Sequence, residues 1–147
     1  MHRAKTIKTG RWCKGYHFKL VDGKHYMMLE DATTCNFAHA FKYIHEESFA
    51  GIDPDTLAQK TGVPDKNKTI IYGSIPINGI MSKGGDKTVS VDGTIFYIEW
   101  ERGGLGFIGR SKSGIVQLSY LTELTKYNIE ILGPACDAKK NETDGAI

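Results

Sequence analysis

Three two-residue turn signals, Asp22-Gly23, Asn78-Gly79 and Asp92-Gly93, punctuate short apolar runs in this chain. Both positions of such a pair accept positive φ, the backbone twist that a tight antiparallel hairpin demands. Further breaks stand at Gly84-Gly85-Asp86, Arg102-Gly103-Gly104 and the polar loop Gly109-Arg110-Ser111-Lys112-Ser113-Gly114, and the chain holds 17 glycines in 147 residues. A chain interrupted this often folds back every few residues and leaves little length for helices. The expected fold class is therefore mainly β, with many short antiparallel strands in small barrel-like or sheet subdomains.

The strands themselves follow from period-two alternation. Trp12, Tyr16, Phe18 and Leu20 alternate with Cys13, Gly15, His17 and Lys19, and His25-Tyr26-Met27-Met28-Leu29 forms the return strand beyond Asp22-Gly23. Pairing Val21 with Lys24 sets Leu20 opposite His25, Phe18 opposite Met27 and Tyr16 opposite Leu29, and it leaves His17 on the polar, exposed face. Thr69 to Ile77 reads as another strand, and Thr88 to Val91 with Thr94 to Trp100 as a second Asp-Gly hairpin. Leu105 to Ile108, Ile115 to Tyr120 and Tyr127 to Leu132 are the remaining strand candidates. Phe37, Phe41 and Ile44 have helical spacing, but residues 31–52 read as loop and strand.

One short helix is expected near residues 54–61. Asp53 suits the N-cap, Pro54 the first helical position and Asp55 the first turn, where a negative charge meets the positive end of the peptide dipoles. Thr61-Gly62 would end it, since glycine closes a helix in the left-handed conformation at little cost. Residues 1–135 then read as a single compact unit, divisible into coupled subdomains at about 1–68 and 69–135, with a flexible polar tail over 136–147.

Composition narrows the setting. No apolar run approaches the roughly 20 residues that a bilayer requires. The basic N-terminus has no apolar stretch behind it, so it is not a secretory signal and the expected location is the cytoplasm. Cys13, Cys35 and Cys136 lack CxxC spacing and read as reduced thiols. Net charge is +2, but residues 1–24 carry Arg3, Lys5, Lys8, Arg11, Lys14, Lys19 and Lys24 against Asp22 alone. Basic side chains interleaved with Trp12, Tyr16 and Tyr26 on a hairpin suit phosphates and stacked bases, so Lys8, Arg11, Lys14, Lys19 and Lys24 are the candidate nucleic-acid or partner-binding residues. The competing reading is a soluble surface over core aromatics.

Catalytic patterns fare worse. Gly104-Leu105-Gly106-Phe107-Ile108-Gly109 fits GxGxxG, but that pattern binds a pyrophosphate only between a strand and a helix N-terminus. Here a polar loop follows, so the glycines read as kinks in a hairpin. Glu99 and Glu101 share one strand face, yet alternation turns Phe96, Ile98 and Trp100 inward and the acids to solvent. His2, His17, His25, His39 and His45 show no metal-ligand spacing, and no serine sits in a nucleophile elbow. No catalytic residue, metal or cofactor is expected.

Three segments resemble the YopX family of phage and prophage proteins, in the right order over most of the chain. Thr9-Gly10-Arg11-Trp12-Cys13-Lys14-Gly15-Tyr16 is similar to that family's "tGeWvyGy" element. Asp53 to Asn67 resembles "pETvGqyTGlkDkNG", with Pro54, Thr56, Gln59, Thr61, Gly62, Asp65, Lys66 and Asn67 in step, and Ile129 to Gly133 resembles "veviGNi". Two departures stand out. Ile71-Tyr72-Gly73-Ser74-Ile75 lacks both acids of the family's "I-[YF]-E-G-D-I" segment, and Pro134 follows Gly133 where the family has asparagine. The resemblance implies a β-rich fold of two small subdomains, self-association into a homo-oligomer and origin in a mobile element, and it carries over no catalytic residues. The matching positions, Trp12, Gly15 and Tyr16 among them, read as structural. The expected function is that of a non-catalytic accessory protein that binds a host or phage protein, an inhibitor of host defence being one form. The alternative is a nucleic-acid-binding small β-barrel.

Overall fold

The computed structural model describes residues 1–30, 49–104, 106–123 and 128–137. The fold is mainly β, 55% strand and 10% helical, and its main sheet curls into a half-barrel. In chain order the strands are β1 (His2–Lys5), β2 (Trp12–Lys19), β3 (His25–Leu29), β4 (Phe49–Gly51), β5 (Ala58–Pro64), β6 (Ile70–Ser74) and β7 (Pro76–Ile77). β8 (Ile80–Met81), β9 (Asp86–Val89), β10 (Ile95–Trp100), β11 (Phe107–Ser111), β12 (Gly114–Gln117) and β13 (Glu130–Pro134) follow, with one α-helix among the described residues, α1 (Leu118–Glu123). The sheet runs β12-β11-β10-β6-β5-β1-β2-β3-β4, and β9 joins β10 to β13 beside this path. β7 and β8 form a separate small hairpin around Asn78-Gly79.

Two apolar clusters fill the concave regions of this continuous sheet. Ile71, Phe96, Ile98, Leu118, Leu121 and Ile129 form one, and Ala4, Met27, Ile52 and Leu57 the other. Each is assembled from the inward parity of several strands, as the alternation requires.

The second Asp-Gly hairpin forms, with Phe96 and Ile98 buried, but its first strand is Asp86–Val89 and not Thr88 to Val91. Gly93 N–H donates to the Ser90 carbonyl and Ser90 N–H to the Thr94 carbonyl, so the loop is Val91-Asp92-Gly93 and Val89 stands opposite Ile95. The first hairpin shows the same departure from the two-residue loop expected. Gly23 N–H donates to the Leu20 carbonyl and Leu20 N–H to the Lys24 carbonyl, so the loop is the three residues Val21-Asp22-Gly23, with Gly23 at φ +83°. The added loop residue moves every pair by one, giving Lys19 opposite His25, His17 opposite Met27 and Phe18 opposite Tyr26. Met27 faces the core, so His17 faces inward with it. That corrects the exposed position expected for His17.

The helix expected near 54–61 is a second correction. Asp53 does cap, accepting from Asp55 N–H, and Pro54 does open a turn, but it is a single 3-10 turn over Pro54–Thr56. Leu57 is already extended, and Ala58–Pro64 runs as β5 between β1 and β6. A two-turn helix is below the length that sustains itself, and two neighbouring strands offer its backbone more hydrogen bonds. Gly62, at φ +79°, lies where the β5–β6 register slips, so it serves a bulge and not a helix end.

The strand expected over Ile115 to Tyr120 stops at Gln117 and passes into α1. Leu118 and Leu121, three residues apart, both enter the core from one helix face. Of the segment 31–52, only residues 49–52 are described, and β4 is a strand as expected. Cys136 and Asp137 belong to a 3-10 turn, Ala135–Asp137, that docks on the sheet. The rest of the expected tail, residues 138–147, lies outside the described residues, as do Cys35, His39 and His45.

Candidate functional site

Even-numbered residues of β2 and odd-numbered residues of β1 share the outer sheet face, as Lys5 opposite Trp12 and Arg3 opposite Lys14 show. Arg3 lies over the Tyr72 ring at 4.5 Å and the Trp12 ring at 5.2 Å; Lys5 stands 5.4 Å from Trp12 and Lys14 5.9 Å from Tyr72. These distances fall within cation–π range. Two of the three cations are already neutralised. Arg3 donates to Asp86 at 2.6 Å and to the Gly84 carbonyl at 2.9 Å, and Asp137 accepts from Lys5 and from the Trp12 indole N–H. Hydrogen bonds from Lys5 and Trp12 hold the Asp137 carboxyl below the usual range despite the opposing effect of burial. The same bond raises the Lys5 ammonium.

The five cations expected to make one patch are spread out. Lys8 and Arg11 lie in the β1–β2 turn, and Lys24 lies in the turn at the far end of the hairpin. Lys14 is exposed on the outer face between them, and Lys19 belongs to the opposite parity, paired with His25. Eight residues of β2 separate the two turns, roughly 25 Å at strand rise.

Beside Lys19, Asp22 and Lys24, the far half of this hairpin also exposes apolar side chains. Tyr16 is 45% exposed, Leu20 47%, and Val21 stands fully in solvent. Behind them Phe18 stacks on Tyr26 with ring centres 5.7 Å apart and meets Phe49 edge-on at 5.6 Å. Tyr16, Phe18 and Tyr26 share the outer face, since Phe18 pairs with Tyr26 and Tyr16 with Met28.

On the inner face, three histidines meet. The His17 and His25 rings stack at 5.1 Å with His17 Nε2 and His25 Nδ1 2.8 Å apart, and His2 lies edge-on to His17 at 5.7 Å. Burial first, then the N-terminal amine and His17, push the His2 imidazole down to about 4. Burial, then His25, lowers His17. Sequence reading missed this cluster because the register that assembles it depends on the three-residue loop. Among the described residues, no group of three His, Cys, Asp or Glu side chains is arranged to hold a metal ion.

The motif residues of the central segment take structural positions. Thr56 Oγ1 donates to the Asp53 carbonyl at 2.7 Å and accepts from Lys5 N–H at 2.8 Å, tying the turn to β1. Thr61 Oγ1 donates to the Ile71 carbonyl and accepts from Val63 N–H, closing the bulge around Gly62. Gln59 pairs with His2 and with Gly73. Asp65 accepts from Asn67, Thr69 and Ile131 N–H groups, and Asn67 reaches Glu130. Gly133, at φ +123°, sits at a register slip in β13.

The remaining candidates resolve as follows. Gly104, with φ +81°, closes the β10–β11 turn, where Glu101 N–H donates to the Gly106 carbonyl. The GxGxxG segment is thus a hairpin with no helix behind it. Glu99, expected in solvent, is 17% exposed and bound to Arg110 at 2.6 Å. Cys13 and Cys136 are free thiols, both pushed up by burial, and Cys13 donates to the Ala4 carbonyl. No helix among the described residues is long and apolar enough to cross a membrane. Comparison with known protein families, with curated proteins and with solved structures gives no match.

Proposed function

We propose that this protein is a non-catalytic binding module that holds a protein partner through the far end of the β2–β3 hairpin. The observation that carries this reading is the exposed apolar set Tyr16, Leu20 and Val21, backed by the Phe18–Tyr26–Phe49 ring cluster. Tyr16 stands on β2, and an exposed aromatic ring on a strand is a usual anchor of protein interfaces; Leu20 and Val21, at the loop beyond the strand, extend the apolar surface beside it. Resemblance to the YopX family suggests a phage or prophage origin, a bacterial cytoplasmic location and a host protein as partner, with inhibition of host defence as one form. Self-association fits the same reading, because β12 ends the sheet and Ile115 on it is half exposed.

The test is a tagged pull-down from nuclease-treated bacterial lysate, run beside a Tyr16→Asp, Leu20→Asp, Val21→Asp variant. A stoichiometric protein retained by the parent and lost by the variant supports the reading. Equal recovery by both chains refutes it.

A nucleic-acid-binding barrel is the second reading, favoured by Lys14 standing beside Tyr72 on the face that also bears Trp12 and Tyr16. It requires affinity that falls steeply with salt as counterions are released. Arg11→Glu, Lys14→Glu, Lys19→Glu should then abolish binding with the fold intact, and undiminished binding removes the idea.

A further inference from the structure

Strand β10 changes partner along one edge. Ile95–Tyr97 pairs with β9, but at Glu99 the pairing passes to Ser74 of β6, in parallel, while the opposite edge stays with β11. Neighbours that diverge along a strand leave a crevice between them, and concave places of this kind are where small ligands are taken up. A cavity of about 300 Å³ lies at this fork. A second, of about 420 Å³, adjoins it on the side of the β9–β10 and β11–β12 turns and shares Tyr97 and Arg110 as walls. Lys83, Glu99 and Ser74 line the first; Lys112, Ser111 and Ser113 line the second. Gly85 also lines the first cavity, where it crosses so near the Ser74 and Ile98 backbones that a side chain cannot be placed there.

The polar groups of this crevice are unevenly matched. Arg110, Lys83 and Lys112 face a single lining carboxylate, Glu99. Glu99 takes the Arg110 Nε–H at 2.6 Å, which orients the guanidinium and leaves its two terminal nitrogens without an acceptor among the described residues. The Lys83 and Lys112 ammonium groups and the Tyr97 hydroxyl likewise have no partner among the described residues. Positive charge and a preset guanidinium are the donor set that recognises a phosphate. The Ser111 hydroxyl is already engaged by the Gly114 carbonyl and Ser113. Tyr97 adds an aromatic wall where the two cavities meet.

We infer that this crevice binds a small phosphorylated molecule, its phosphate held by Arg110 and Lys112. The site is separate from the hairpin tip proposed for the protein partner. Titrating the full chain with adenosine monophosphate, inorganic phosphate and adenosine, and following thermal stability and heat of binding, tests it. Adenosine monophosphate and phosphate should raise the melting temperature saturably, and adenosine at equal concentration should not. Arg110→Gln, Lys112→Gln should weaken adenosine monophosphate at least tenfold. Lys112→Gln alone, on an exposed loop, should weaken it at least threefold. The Tyr16, Leu20, Val21 variant should bind as the parent does, which separates this inference from the partner reading. No saturable response to either phosphate compound overturns the inference; so does an equal response to adenosine, or unchanged affinity in the double variant.

Discussion

His17 Nε2 lies 2.8 Å from His25 Nδ1 across the β2–β3 pair, with the two rings 12° from parallel. One nitrogen must donate and the other accept, so this contact holds only while one ring stays neutral at that position. His2, edge-on to His17, has its Nδ1 buried without a partner among the described residues, and burial holds its imidazole down to about 4 against an ordinary 6.5. His17 is lowered too, by burial and then by His25. A group whose folded value is depressed binds its proton more readily when unfolded. The stability it lends is therefore complete above about 6.5 and is lost as pH falls through that value toward 4. Denaturant titrations at pH 7.5 and 4.5 should show a drop, of which His2 accounts for about 1–2 kcal/mol once partial solvent screening is allowed for. His2→Gln should shrink the drop; equal pH slopes for parent and variant would remove His2 from the account.

Arg3 and Asp86 make the most buried ion pair among the described residues, their side chains 13% and 1% exposed. Asp86 also accepts the Tyr72 N–H at 2.8 Å, so one carboxylate ties β9 to β1 and β6. Removing only the cation leaves a buried charge uncompensated. Arg3→Met is expected to cost about 3–5 kcal/mol in chemical denaturation. Adding Asp86→Asn should recover part of that loss, since the amide oxygen still accepts from Tyr72 and no charge remains. A cost below about 1 kcal/mol for Arg3→Met would show that solvent, not Arg3, carries the compensation.

Much of the architecture was readable from local chemistry, and the errors have a common origin. Asp22-Gly23 and Asp92-Gly93 both mark real hairpins, because turn and strand signals agree there. Neither dipeptide fixes the register, since it can close a two-residue or a three-residue loop, and hydrogen bonding in both folded hairpins selects three. In the first, that one residue carries His17 from the solvent side to the inner face. At Asp53 to Gly62 the helix signals are real, yet only one turn forms, since β1 and β6 claim the backbone of Ala58–Pro64. The crevice at β10 was illegible. Glu99, Tyr97 and Arg110 are brought together with Ser74 by a change of strand partner, which no local pattern records.

Asp65 organises the turn before β6. Its Oδ1 accepts from Asn67 and Thr69 N–H, both at 2.9 Å, and its Oδ2 accepts from Ile131 N–H of β13 at 3.1 Å. The side chain is buried, so these donors have no ready replacement. Asp65→Ala should cost about 3 kcal/mol, with the three N–H groups left unpaired. Asp65→Asn is the sharper test. Its oxygen can serve Asn67 and Thr69, but its NH₂ then meets the Ile131 N–H donor to donor. Amide exchange should quicken at Ile131 in that variant and stay slow at Asn67 and Thr69. Uniform quickening at all three would mean the whole turn had opened.

Gly15 and Gly73 are required for space alone, since neither has a positive φ. A methyl group at Gly15 would run into the backbone carbonyl of Met28 on β3, and one at Gly73 into the Phe107 ring. The two obstacles differ in how far they yield. The Met28 carbonyl is fixed by the β2–β3 ladder, whereas Phe107 packs edge-on to Trp100 at 5.1 Å and can move with that partner. Gly15→Ala should therefore cost about 3 kcal/mol or more, and Gly73→Ala about 1–2 kcal/mol, the range of overpacked cores. Phe107→Leu in the Gly73→Ala background should restore part of the loss, because the smaller side chain vacates the position of the added methyl. Denaturant titration of the three variants decides this. Equal costs for Gly15→Ala and Gly73→Ala would show that the β2–β3 ladder gives way as readily as a side chain does.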